Sequence, residues 1–208
     1  MKFLVADDHD LVRLGVRLVL QKKFPNSEID EVTNFNSIVK KIRDKEYDLA
    51  ILDIHMQEKS SIQFIKHLLV LRPKLKIIIL SYLPEEVFGI HYIKAGVMAY
   101  INKKYDNDVF EKAIDKVLNN RRYLTDEIND QMQQMLTGDT NLFNKLSERE
   151  IEVLNYMLQG YSVSDISNKL NLHNTTVSTY KNRIFEKLNT KNIMVLNELA
   201  TIYNPFKT

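Results

Sequence analysis

The chain has 208 residues, 44% hydrophobic and 27% charged, with 5 glycines and 4 prolines, which excludes disorder and fibrous repeats and admits one large domain or two small ones. The absence of cysteine excludes a disulfide framework, a thiol nucleophile and a cysteine-type zinc site. A net charge of +2 is too small to indicate a partner, there is no membrane-length apolar run, and Asp7 and Asp8 interrupt the N-terminus before a signal core can form, so a cytoplasmic chain without membrane association is expected.

From the N-terminus, short aliphatic runs alternate with amphipathic stretches. Phe3–Ala6, Glu28–Val32, Asp48–Asp53, Lys76–Ser81 and Met98–Ile101 read as strands, most of them apolar enough to be buried on both faces. Between and after them, 11–23, 35–45, 61–72, 85–95 and 107–119 carry apolar residues at three and four spacing, for example Leu11, Leu14 and Leu18. This alternation predicts a doubly wound, five-stranded parallel sheet with helices on both faces. The rhythm breaks between Arg121 and Lys145, where a short helix and the Thr137-Gly-Asp-Thr-Asn141 turn mark a linker. Beyond it the pattern is all-α. Ser147 and Glu150 form a capping box that opens a helix to Leu158, and Gly160 ends it. Ser162–Leu170, a helix capped by Asn174 or Thr175 and running to Leu188, and Asn192–Tyr203 complete a four-helix domain. The expected domains are 1–122, a linker 123–143, and 144–208.

In a doubly wound sheet the carboxyl ends of the strands share one edge, so Asp7 and Asp8 after the first strand meet Asp53 after the third. Three packed carboxylates are costly without a cation, and hard oxygen ligands suit Mg²⁺. Ser81 ends the fourth strand and Lys103 follows the fifth on the same edge. A hydroxyl, an ammonium, a cation and a carboxylate around one point describe a phosphoryl-transfer site, with Asp53 as nucleophile and Lys103 and Ser81 absorbing charge. Asp10 reads as the cap of the first helix, and His9 as a lone exposed loop histidine.

Residues 125–208 hold 8 Lys or Arg against 10 Asp or Glu, which argues against a generic polyanion-binding tail. Within them, however, Lys169, Lys181, Arg183, Lys187 and Lys191 stand against Glu186 alone over 169–191. Two helices joined across Asn171-Leu-His-Asn174 have the proportions of a helix-turn-helix. Val177, Ile184 and Leu188 face the core of that unit. Thr175 and Thr176 at the start of the second helix, with Ser178, Thr179, Lys181, Asn182, Arg183 and Lys187 along it, can reach bases and phosphates.

The set Asp7-Asp8, Asp53, Ser81, Ala95-Gly96 and Ala99-Tyr-Ile-Asn-Lys103 resembles the receiver domain of bacterial two-component response regulators over residues 1–122. The resemblance implies that Asp53 accepts a phosphoryl group from a sensor histidine kinase. It also implies that the backbone carbonyl of His55 joins Asp7, Asp8 and Asp53 around Mg²⁺, and that Ser81 and Tyr100 relay the change. Two positions depart from the family pattern, which has proline and glycine where this chain has Gln57 and Ser61. Leu146-Ser-Glu-Arg-Glu150, Val153-Leu154, Gly160, Ile166, Leu170, Thr176-Val177 and Lys187-Leu188 resemble the LuxR (NarL/FixJ) class of DNA-binding domains, and Val177-Ser-Thr-Tyr-Lys181 resembles regulators of the BvgA and EvgA kind. The expected function is a transcriptional regulator, not an enzyme beyond self-phosphorylation and slow dephosphorylation, that binds paired double-stranded DNA half-sites as a phosphorylation-favoured homodimer. The alternative is a DNA-binding regulator whose vestigial receiver serves only dimerisation. A phosphohydrolase is disfavoured because His55 stands where a second aspartate would be its general acid.

Overall fold

Five short aliphatic segments, too apolar to face water, organise the N-terminal part of the computed structural model, which describes residues 1–54, 56, 62–137, 142–188 and 190–203. They are β1 Lys2–Ala6, β2 Glu28–Val32, β3 Leu49–Leu52, β4 Ile77–Ser81 and β5 Ala99–Asn102, all parallel, in the order β2-β1-β3-β4-β5. Every residue of β3 and β4 is buried, as expected for inner strands covered on both faces. The covering helices are α1 Asp10–Lys23, α2 Phe35–Asp44, α3 Ile62–Leu71, α4 Glu85–Lys94 and α5 Asn107–Leu118. On one face Phe3, Val5, Ile51 and Ile78 pack with Val16 and Leu20 of α1 and Phe110, Ile114 and Val117 of α5, whereas the Leu11, Leu14 and Leu18 row that the spacing offers as the apolar side of α1 faces solvent.

The sheet order reverses between β1 and β3, and this switch point opens a crevice at their carboxyl ends. The Asp53 N–H donates to Ala6 O at 2.7 Å and ties the two strand ends together. Gly96 shapes the entry to β5: its φ is +110°, and a Cβ there would lie 2.6 Å from Leu69 Cδ1. Only glycine fits such a position.

On β2, Asp30 accepts from Lys41 Nζ at 3.0 Å, Lys45 Nζ at 2.7 Å and Tyr47 OH at 2.6 Å. Hydrogen bonds from Lys45 and Tyr47 hold its carboxyl well below the usual carboxylate range. A depressed folded pKa contributes stability above the unfolded value of about 3.9 and loses it as pH falls toward the folded value. Because the group is partly solvated, Asp30→Asn is expected to cost only about 1 kcal/mol at neutral pH. Urea titrations between pH 3 and pH 7 should show a shallower acid loss for the variant than for wild type.

The chain divides into two units, Met1–Leu136 and Thr137–Thr208. Residues 123–143, expected as a linker with a short helix, hold α6 Asp126–Thr137 and the first two residues of a 3-10 turn at Leu142–Lys145, and 123–136 group with the first unit. The second unit contains α7 Glu148–Leu158, α8 Val163–Leu170, α9 Asn174–Lys187 and α10 Ile193–Tyr203 around Val153, Leu154, Ile166, Val177, Ile184 and Leu196. The Ser147–Glu150 capping box is present, and Ser162 and Asp165 form a second one that opens α8. Two expected caps are corrected. The N-caps are His9 and His173, with Asp10 and Asn174 inside the first turns and no side-chain cap bond at either end. No helix among the described residues is long and apolar enough to cross a membrane.

Candidate functional site

β1 delivers Asp7 and Asp8 to the crevice, β3 delivers Asp53, β4 delivers Ser81, and the turn after β5 delivers Lys103. Asp7 and Asp53 are only 2% and 3% exposed. Their charges are held together by the Lys103 ammonium, which lies 2.6 Å from Asp7 Oδ2 and 2.7 Å from Asp53 Oδ2. Burial pushes the Lys103 pKa down, but the hydrogen bonds to Asp53 and Asp7 outweigh it and leave it raised, so the ammonium stays charged.

His9, read from the sequence as a lone loop histidine, is brought into this cluster. Its Nδ1 contacts Asp7 Oδ1 at 3.2 Å and lies 2.8 Å from Asp8 Oδ1, although most of the ring remains in solvent. Asp7, Asp8, His9 and Asp53 offer ligand atoms that all lie within 4.8 Å of one another. Asp8 Oδ1 is buried and, among the described residues, accepts no hydrogen bond of good geometry, the 2.8 Å approach of His9 Nδ1 included. One ammonium cannot neutralise three carboxylates, so a donor set of hard oxygens with an unsatisfied one among them fits a divalent cation of the Mg²⁺ type. His55, Gln57 and Ser61 lie outside the described residues.

The second pair of expected residues is tied to α4. Ser81 Oγ accepts from the Leu83 N–H at 3.2 Å, while the Leu83 carbonyl accepts from Tyr100 OH at 3.1 Å and Asn102 Nδ2 at 3.2 Å. Tyr100 is fully buried, its ring centroid 5.7 Å from that of Tyr92 on α4. Burial raises its pKa well above the ordinary value, so the phenol remains a hydrogen-bond donor. Ser81 and Tyr100 therefore hold the same residue, the one that leads into α4.

In the second unit, α8 and α9 are joined through Asn171 in the left-handed region at φ 53°, and Leu172 N–H closes the turn on Ser167 O at 2.9 Å. Val177, Ile184 and Leu188 are buried. Thr175, Thr179, Asn182 and Arg183 are exposed, with Thr176, Ser178 and Lys181 half-buried. Lys187 stands apart: its Nζ is 2.7 Å from Glu150 Oε2, a carboxylate only 2% exposed that also caps α7. Spacing on α9 places Lys187 among the surface cations, and its capture by an acid 37 residues away has no local signal.

Two family models match: the response regulator receiver domain over residues 3–115, and the bacterial regulatory proteins of the luxR family over 144–200. Response regulator GacA of Pseudomonas aeruginosa is 30% identical over 204 residues, spanning 96% of this chain and 95% of that one. The DNA-binding transcriptional activator EvgA of Escherichia coli K12 is 32% identical over 201 residues, spanning 96% and 97%. The solved structure of RcsB from Salmonella enterica serovar Typhimurium bound to promoter rprA shares the fold with a TM-score of 0.68 at 21% identity, covering 97% of this chain and 99% of that one. With its crevice of carboxylates followed by a helix-turn-helix, the chain belongs to the LuxR (NarL/FixJ) class of response regulators, transcription regulators that join a receiver to a LuxR-type DNA-binding domain.

Proposed function

We propose that Asp53 accepts a phosphoryl group from the phosphohistidine of a sensor histidine kinase, and that this modification favours a homodimer on paired DNA half-sites in the cytoplasm. The observation that carries the reading is the Lys103 ammonium shared between Asp7 and Asp53 beside Asp8 at the sheet's switch point. In the transfer, a carboxylate oxygen of Asp53 forms a bond to phosphorus while the phosphorus–nitrogen bond breaks, and its electron pair returns to the imidazole. Lys103 exchanges its contact with Asp53 for a phosphoryl oxygen, and the Ser81 hydroxyl turns from Leu83 to another. Asp7, Asp8 and Asp53, with the carbonyl that the family resemblance assigns to His55, would hold Mg²⁺, which when bound offsets charge on the phosphoryl oxygens.

On the DNA side, Thr175, Thr176, Ser178, Thr179 and Asn182 are assigned to the major groove, and Lys181 and Arg183 to phosphates. Lys187 is assigned to the α7–α9 contact instead. One small helix-turn-helix buries little DNA surface, so two acting together gain affinity. A row of solvent-exposed leucines on α1, Leu11 at 82%, Leu14 at 39% and Leu18 at 56%, supports self-association.

The test is the intact mass of wild type and Asp53→Asn after incubation with acetyl phosphate and Mg²⁺, paired with light scattering and DNA titration. One phosphoryl group on wild type alone, with dimer formation and tighter DNA binding, is expected. Equal stimulation of DNA binding in Asp53→Asn overturns the proposal and favours a receiver that serves only dimerisation.

A further inference from the structure

Helix α4 is buried more thoroughly than a surface helix of a receiver unit requires. One side of it rests on the sheet, yet seven of its ten residues are buried, Gly89 among them. The cover over Gly89 comes from the chain's own continuation. After α5, the Tyr123 N–H donates to Met98 O at 2.9 Å, and Tyr123 bridges Ala99 in the parallel sense, so the segment runs along the open edge of β5. Thr125 then precedes α6, its hydroxyl oxygen accepting from the Ile128 N–H at 3.4 Å. Ile128 is fully buried, although Asp126, Asn129 and Asp130 around it are exposed. A Cβ on Gly89 would lie 2.8 Å from Ile128 Cδ1 and 2.9 Å from Cγ1. Ile128 is a knob, and the missing side chain at Gly89 is its socket, with no slack between them.

The N-terminal end of α4 is connected to the acidic crevice. Leu83, one residue before the Pro84 that caps α4, is held through its N–H by Ser81 and through its carbonyl by Tyr100 and Asn102. If the Ser81 hydroxyl turns toward a phosphoryl group on Asp53, Leu83 loses one of these restraints and the start of α4 is free to move. A close-packed knob in a socket tolerates such a shift by discrete unseating, not by gradual deformation.

We propose that α6 is a latch: Ile128 seated on Gly89 ties the segment leading to the second unit onto α4, and movement of Leu83 and α4 upon phosphorylation unseats it. The seat itself is a property of the unmodified chain, and only its release rests on the phosphorylation reading above. The latch works through position alone, since neither Gly89 nor Ile128 touches the acidic cluster's chemistry.

The experiment uses the full-length protein and hydrogen exchange of the α6 peptide read by mass spectrometry. Unphosphorylated Gly89→Ala is expected to exchange at α6 about tenfold or more faster than wild type, because local opening follows the lost seat. Alanine is the better helix former, so faster exchange confined to α6 is not loss of α4. Ile128→Ala removes the knob and should give the same gain. Adding Gly89→Ala to Ile128→Ala should bring little further change, since the added methyl no longer meets an isoleucine. Both single variants are also expected to bind DNA without a phosphodonor more tightly than wild type does. Wild-type α6 exchange in both single variants, with no gain in DNA binding, overturns the latch. Wild type that carries a phosphoryl group on Asp53 by mass, yet keeps α6 protected, overturns release while leaving phosphorylation standing. Conversely, a wild type that takes up no phosphoryl group while the single variants still open α6 supports the seat and removes the phosphorylation reading.

Discussion

Lys103→Met is expected to lose phosphorylation-dependent DNA binding altogether and to destabilise the first unit by about 3–5 kcal/mol, the usual cost of leaving buried charges without their partner. Asp7 and Asp53 are almost completely inside, and in wild type each places a carboxylate oxygen within 2.7 Å of the same ammonium. Methionine fills most of the lysine's volume, so the loss tests charge and not packing. Two consequences separate this account from simple misfolding. Millimolar Mg²⁺ should restore a large part of the lost stability, because a divalent cation can replace the ammonium between the carboxylates, while Ca²⁺-free buffer with monovalent salt alone should not. Acetyl phosphate should still modify Asp53 in the variant, but without the change in oligomeric state, since no ammonium is left to move from Asp53 to the phosphoryl oxygen. Urea denaturation with and without Mg²⁺, followed by intact mass, light scattering and DNA titration, reads each of these outcomes. Wild-type stability together with normal phosphorylation-dependent dimer formation would show that the ion triad carries neither structure nor signal.

What was legible in the sequence is the part that repeats. Alternating apolar runs and amphipathic stretches revealed five strands and their helices, because inner parallel strands must be aliphatic throughout and helices must present one apolar face. The meeting of Asp7, Asp8, Asp53 and Lys103 followed from topology, since the carboxyl ends of parallel strands share an edge, with Ser81 at the end of β4 on that edge but bonded to Leu83. The misses have a common cause. His9 joining the acidic cluster, Lys187 folding back to Glu150 and Ile128 filling the socket at Gly89 are contacts set by side-chain direction in three dimensions. Gly89 reads in sequence as an ordinary helix weakness, and only the position of α6 shows what its missing side chain admits. The helix caps were displaced by one residue for a local reason: His9 and His173 already have extended backbone, so the better-suited Asp10 and Asn174 fall inside the helix. Asp10 there still favours α1 through the dipole at its N-terminus.

Lys187→Met and Arg183→Ala should have opposite signatures, although both remove a cation from the same helix. Lys187 Nζ is 2.7 Å from Glu150 Oε2, and that carboxylate also accepts from the Ser147 N–H at 2.7 Å and the Ser147 hydroxyl at 3.0 Å. Burial raises the Glu150 pKa, but the Lys187 and Ser147 hydrogen bonds outweigh it and hold it below the ordinary value. The pair thus stabilises the second unit at neutral pH, and its contribution is lost as pH falls below about 4.3 toward the folded value. Removing Lys187 leaves the carboxylate buried with only its cap, which for a fully interior pair would cost several kcal/mol. With the lysine side chain 39% exposed, solvent screening lowers the expected cost to about 2 kcal/mol. The thermal midpoint of the second unit should drop, whereas DNA affinity of the folded fraction and its dependence on salt should stay near wild type. Arg183 is exposed and assigned to phosphate, so its removal should leave the midpoint unchanged within about 0.5 kcal/mol. Its DNA affinity should fall uniformly across sequences, with the slope of log affinity against log salt reduced by about 1 per bound subunit. Fluorescence titrations at several salt concentrations, run below both melting transitions, distinguish the two. A reduced salt slope in Lys187→Met would place that ammonium on DNA and mean that the Glu150 contact opens when the complex forms.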